Sequence, residues 1–149
     1  MNRPAGVLAA LTITAASLVG CTGKAEPPKS QGPQTTTIEV SYDELLNQKQ
    51  ISRSVSLAVG DYLQLSLGSN ASTGYQWEDK LLISDPNVML QTGHETLAPA
   101  ADRPGAPGRE VWMLQTKNRG ETTVSTTYGR PWPDSEKDSW VFSVNVKVN

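Results

Sequence analysis

The chain has 149 residues, with 13 Lys and Arg against 15 Asp and Glu for a net charge of −2. That length holds one domain plus accessory segments, and a weakly acidic balance without a basic cluster excludes a surface built to track nucleic-acid phosphates. A single cysteine and a single histidine exclude a disulfide framework and a closed zinc site.

Residues 1–20 read as a lipoprotein signal peptide. Arg3 gives a small positive start, and residues 5–19 form an apolar stretch centred on Val7-Leu8-Ala9-Ala10-Leu11. The stretch is too short for a comfortable membrane span. Leu18-Val19-Gly20-Cys21 resembles a bacterial lipobox, in which the peptide is cut just before the cysteine and the thiol carries a lipid. The expectation is an exported protein held to the membrane of a bacterial cell envelope through lipid (palmitate) on Cys21. An ordinary signal peptide with an incidental cysteine is the plainer alternative. Residues 21–34 continue TGKAEPPKSQGPQ after Cys21, with nothing apolar larger than alanine. Such a segment buries too little surface to order itself and reads as a tether. The folded domain is expected to span 35–149.

From Thr35 the apolar residues recur every second position. Ile38, Val40 and Tyr42 alternate with polar neighbours, as do Leu63, Leu65 and Leu67, and then Trp140, Phe142, Val144 and Val146. Period two marks strands with one buried face. Less regular strands are expected at 51–59, 75–77, 88–91, 109–117 and 121–128, separated by turn signals at 60–61, 84–87 and 118–120. One short helical turn fits 42–47. About seven or eight strands without crossover helices predict an all-β, antiparallel β-sandwich of immunoglobulin-like type, working as a monomer. Trp77 reads as a core residue. Trp112 is open, because Val111 and Met113 would take the opposite face.

Catalytic chemistry finds little footing. His94 is the only imidazole available to a nucleophilic triad, no serine stands in a Gly-x-Ser-x-Gly elbow, and packing is its plainer role. No spacing suits a calcium loop or a phosphate-binding glycine turn, so no metal or cofactor is expected. An exported hydrolase built on His94 and a carboxylate ranks last.

Three loop segments stand out instead. The first is Asn70-Ala71-Ser72-Thr73-Gly74-Tyr75, small and polar, with Gly74 to permit a tight turn. The second contains Gly105-Ala106-Pro107-Gly108, whose glycines leave the backbone bare and whose proline restricts it. The third is Tyr128-Gly129-Arg130-Pro131-Trp132-Pro133, in which Arg130-Pro131-Trp132 sets a cation and a large flat ring about a rigid link, both of types enriched at interface hot spots. Pro131 and Pro133 keep Trp132 out of strand pairing. In a sandwich, loops at one end approach one another. Each segment alone also reads as an ordinary turn or surface loop.

Taken in order, the three segments resemble the chagasin family, inhibitors of papain-like cysteine peptidases. The resemblance runs from about Leu63 to Val148 and includes Tyr75-Gln76-Trp77 and the last alternating strand. It departs from the family pattern at Ala71, where many members carry proline, and at Pro107, where glycine is usual. The resemblance implies an immunoglobulin-like sandwich and no enzymatic activity. It also implies a steric, reversible, non-covalent block of a peptidase cleft. Thr73 and Gly74 would stand at the tip of a wedge formed by Asn70, Ser72 and Tyr75 with them. Gly105, Ala106, Pro107 and Gly108 would line one side, and Arg130, Pro131 and Trp132 the other. The partner implied is a papain-like cysteine peptidase. The competing expectation is a non-inhibitory immunoglobulin-like module that binds another envelope protein through the same loops.

Overall fold

The computed structural model describes residues 31–100, 102–133 and 138–149. The expected signal peptide, Cys21 and most of the expected tether lie outside the described residues. Nine strands and one short helix follow in order. They are β1 (Thr35–Val40), α1 (Tyr42–Asn47), β2 (Gln50–Leu57), β3 (Tyr62–Ser69), β4 (Gln76–Trp77), β5 (Leu82–Ile83), β6 (Met89–Leu97), β7 (Gly108–Thr116), β8 (Gly120–Gly129) and β9 (Trp140–Val148). One sheet runs β1-β3-β7-β6; the other runs β2-β9-β8-β4, with β5 also on β8.

The alternating residues meet between the sheets. Leu63, Leu65 and Leu67 of β3 and Trp112 and Leu114 of β7 face Val124 and Tyr128 of β8 and Phe142, Val144 and Val146 of β9, all at most 1% exposed. Each large apolar side chain buried this way contributes about 1.5–3 kcal/mol. Trp77 occupies the core as its spacing suggests, 2% exposed, with its indole N–H donating to Gly68 O at 3.0 Å. Trp112 also turns inward, edge-on to Trp77 at 6.3 Å between centroids, so Val111 and Met113 take the other face of β7. Among the described residues the buried apolar core is drawn from Val40 to Val148.

The sandwich is the expected one, but its sheets are mixed. β1 pairs β3 in parallel, and β2 pairs β9 in parallel. Parallel neighbours need a long connection between them. Between β1 and β3 the chain passes through α1 and β2, crossing to the second sheet and back, so no βαβ helix is required. The helical turn expected at 42–47 is α1, which ends the alternation at Val40: the Ser41 hydroxyl accepts the Glu44 N–H at 3.1 Å and starts the turn. β6 runs on to Leu97 rather than stopping near 91, through an irregularity between Gln91 and Gly93.

Candidate functional site

Strand register alone brings the three loop segments to one end of the sandwich. Ser69 pairs with Gly108, so the exit of β3 lies beside the end of the second loop. Gln76 pairs with Gly129, so the entry to β4 lies beside the start of the third. Residues 70–75 carry the chain from the first sheet to the second and therefore stand between the other two loops.

The central loop is a single 3-10 turn, Ala71–Thr73. Asn70 caps it: Oδ1 accepts the Ser72 N–H at 3.2 Å and the Ser72 hydroxyl at 2.6 Å. Asn70 O accepts the Thr73 N–H at 3.1 Å and the Thr73 hydroxyl at 2.7 Å. Gly74 closes the turn at φ 78°, ψ 0°, the left-handed region a side chain would strain. A Cβ there would also come within 3.3 Å of Trp132 Cη2, so the turn and the third loop touch at this glycine. Residues 71–74 are exposed, whereas Asn70 is 9% exposed and turns inward.

Asn70 also reaches the second loop, where Nδ2 donates to Gly105 O at 3.0 Å. That loop folds over a turn in which the Ala106 N–H donates to Arg103 O at 3.3 Å, with Pro104 and Gly105 (φ 77°) at the corner. Gly105 and Pro107 are exposed; Ala106 and Gly108 are half-buried. Gly108 is fixed by proximity: a Cβ would lie 2.5 Å from Leu97 O on the neighbouring strand.

The third loop is held by rings. The Arg130 guanidinium lies 4.6 Å from the centroid of Tyr75 and 5.4 Å from that of Trp132, each contact adding about 0.5–1 kcal/mol at an exposed site. Tyr75 in turn stacks on Tyr128 at 5.7 Å and meets Trp140 edge-on at 5.3 Å. Pro131 and Trp132 are exposed, Trp132 to 52%. The ring lines an open depression together with Gln76, Glu78, Thr127, Arg130 and Val141.

The sequence profile of the chagasin family peptidase inhibitors, I42, matches residues 56–146. The chain belongs to the chagasin family. Its relatives include chagasin of Trypanosoma cruzi, 32% identical over 97 residues that cover 64% of this chain and 88% of that protein. Amoebiasin-2 of Entamoeba histolytica is 26% identical over 109 residues, covering 69% and 85%. Among solved structures, the E. histolytica cysteine protease inhibitor EhICP2 superposes with a TM-score of 0.53 at 21% identity, covering 78% of this chain and all of that one. PbICP-C, solved in complex with falcipain-2, superposes with a TM-score of 0.55 at 21% identity, covering 78% and 99%. The shared fold is the mixed β-sandwich described above. Proteins of the chagasin family inhibit peptidases and are not enzymes.

His94 sits inside β6. Its ring stacks on Trp112 at 4.8 Å, and Nε2 lies 3.0 Å from Glu110 Oε2. Burial pushes the Glu110 carboxyl above its ordinary pKa, opposed by the hydrogen bond from His94 and by the Trp77 backbone N–H. The imidazole is thus engaged in joining β6 to β7. Among the described residues no three His, Cys, Asp or Glu side chains gather as a metal group.

The residues of the chagasin motifs therefore divide. Ser72, Thr73, Gly74, Gly105, Pro107, Arg130, Pro131 and Trp132 are exposed at the loop end. Asn70 points into the molecule, and Tyr75 is a half-buried strut between the turn and the third loop. Sequence reasoning put Tyr128 at the head of the third loop and Trp140 in an alternating strand without setting either beneath the site, and it missed Lys49, whose Nζ stands 4.7 Å from the Trp140 ring centroid. The signal for Tyr128 was available: it is the last inward residue of an alternating strand, and a buried tyrosine hydroxyl needs a partner.

Proposed function

We propose that this chagasin-family protein blocks papain-like cysteine peptidases by entering the cleft with the Ala71–Gly74 turn. Gly105 to Gly108 would lie along one cleft wall, and Arg130 to Trp132 along the other. The block is steric, reversible and non-covalent. The observation that carries this reading is the convergence of three loops from two sheets around one capped turn. A closed 3-10 turn with a left-handed glycine cannot take the extended form that a peptidase cleaves. Its tip carries no charge and little bulk, so it suits a narrow cleft. The tip is pre-ordered by its own hydrogen bonds, which lowers the ordering cost of binding.

The test is titration of residues 35–149 against papain and a cathepsin L-like peptidase, read by cleavage of a fluorogenic peptide. Stoichiometric inhibition that reverses on dilution is expected. A folded domain without effect at micromolar concentration on either enzyme would overturn the reading and favour a non-inhibitory binding module.

We further propose that the protein is exported and held to a bacterial membrane by lipid on Cys21, the only cysteine of the chain. The small residues preceding it support this. So does the place where the chain enters the sandwich: the Gln34 N–H donates to Asp61 Oδ1 at 3.0 Å, and Thr35 pairs with Tyr62, at the end opposite the three loops. An attachment before Thr35 leaves those loops clear. Cys21→Ser is expected to move the protein from membrane to soluble fractions; unchanged fractionation would refute the anchor.

A further inference from the structure

Tyr128 lies just ahead of the Arg130-Pro131-Trp132 motif; it touches the first loop at Asn70, Thr73 and Tyr75, reaches the second through Asn70, and leads along β8 into the third. It is the last inward residue of β8, two positions before Arg130, and is 1% exposed. Its ring packs against Trp77 at 4.9 Å, Tyr75 at 5.7 Å and Trp140 at 6.2 Å. Its hydroxyl accepts the Asn70 backbone N–H at 3.0 Å and also meets the Thr73 side chain. Asn70 is the residue from which the turn at 71–73 and the carbonyl of Gly105 are both held. One phenol oxygen thus ties the foot of the central turn, and through it the second loop, to the strand that leads into Arg130.

We propose that Tyr128 is a positioning residue for inhibition, its hydroxyl setting the central turn in register with the third loop so that all three loops meet a peptidase as one rigid unit. The inference rests on the inhibitory reading above. Removing the hydroxyl leaves a buried backbone N–H without its acceptor, and the turn then shares its time among arrangements that satisfy it elsewhere. Apparent affinity falls by the fraction of molecules still correctly arranged. Because Tyr128 is buried, it makes no contact with the peptidase, and a correctly arranged molecule presents the same contacts once bound. The loss therefore falls on association, whereas loss of a direct contact falls on dissociation.

The experiment compares residues 35–149 as wild type, Tyr128→Phe and Val146→Ala, the last a core change towards the opposite end of the sandwich. Association and dissociation rates with papain are measured by stopped flow. Amide exchange at Ser72, Thr73 and Gly74 is measured on each protein alone. Tyr128→Phe is expected to slow association about 10-fold with dissociation within about 2-fold, and to speed exchange at the turn about 10-fold. Val146→Ala is expected to lower thermal stability while leaving both readouts alone. Wild-type exchange at the turn in Tyr128→Phe, or a loss carried by dissociation, would overturn the proposal. Faster exchange in a domain whose wild type inhibits no papain-like peptidase would overturn the inhibitory role of Tyr128 together with the function it serves, while locating the failure in that function.

Discussion

Trp132 shows how a single residue can be exposed and ordered at once. Half its surface is open, yet Pro131 restricts the backbone, Arg130 lies against the ring, and Gly74 leaves room for its edge. An aromatic residue held this way loses little freedom on contact, and such anchors carry about 2–4 kcal/mol at interfaces. Trp132→Ala is accordingly expected to raise the inhibition constant for papain about 30-fold to 1,000-fold. Thermal unfolding should move by no more than about 2 °C, since an exposed ring contributes little to folding. A large fall in melting temperature with unchanged inhibition would make the ring structural. Exposed motif residues such as this were legible in the sequence because proline and glycine declare their backbone constraints locally. Asn70 was not legible in the same way. Its residue type suggested contact, but its direction was set by Tyr128 and Gly105, 58 and 35 positions away.

At the scale of elements, period two located most strands because it follows from which face is buried, a property each segment carries by itself. β5 has only two residues and offers no period to read. β6 hid its second half because the irregularity between Gln91 and Gly93 shifts the alternation, so polar and apolar positions exchange faces. The parallel pairing of β1 with β3 and β2 with β9 depends on the chain changing sheets, which no single segment records. One element junction bears directly on the site. β6 and β7 approach so closely where they flank the second loop that Gly108 has no room for a side chain. Gly108→Ala would press a methyl against the Leu97 carbonyl, backbone that cannot swing aside. The expected cost is about 1–3 kcal/mol, seen as a lower urea midpoint, together with weaker inhibition as the second loop moves off its place. If Gly108→Ala matched the wild type in both, the strands would be free to part there and the loop would be held by Asn70 alone.

Across the whole molecule, the two sheets are joined beneath the loops by polar side chains as well as by the apolar core. Glu110 is 8% exposed on β7, where its carboxylate takes a hydrogen bond from the Trp77 backbone in the other sheet and stands 3.0 Å from His94 Nε2. Trp112 Nε1 donates to Asp79 O at 3.1 Å, and the Asp79 carboxylate lies 3.8 Å from His94 Nδ1. Burial dominates and raises the Glu110 pKa in the folded protein above its ordinary value of 4.5. A raised carboxyl is neutral in the folded state at a pH where the unfolded chain has already ionised. Its stabilising contribution is therefore complete below about 4.5 and declines as pH rises through the folded value. Each tenfold gain in proton affinity on folding corresponds to about 1.4 kcal/mol. Unfolding free energy measured in urea between pH 4 and pH 7 is thus expected to fall, for the wild type relative to Glu110→Gln, as pH rises, and then to level off. Because the hydrogen bond from His94 lowers the Glu110 pKa, His94→Gln should let that pKa climb further and displace the decline to higher pH. A difference that stays flat, or grows with pH, would mean that the carboxylate is compensated fully within the joint. The loops would then rest on a base indifferent to pH over this range, rather than on one that loosens as Glu110 ionises.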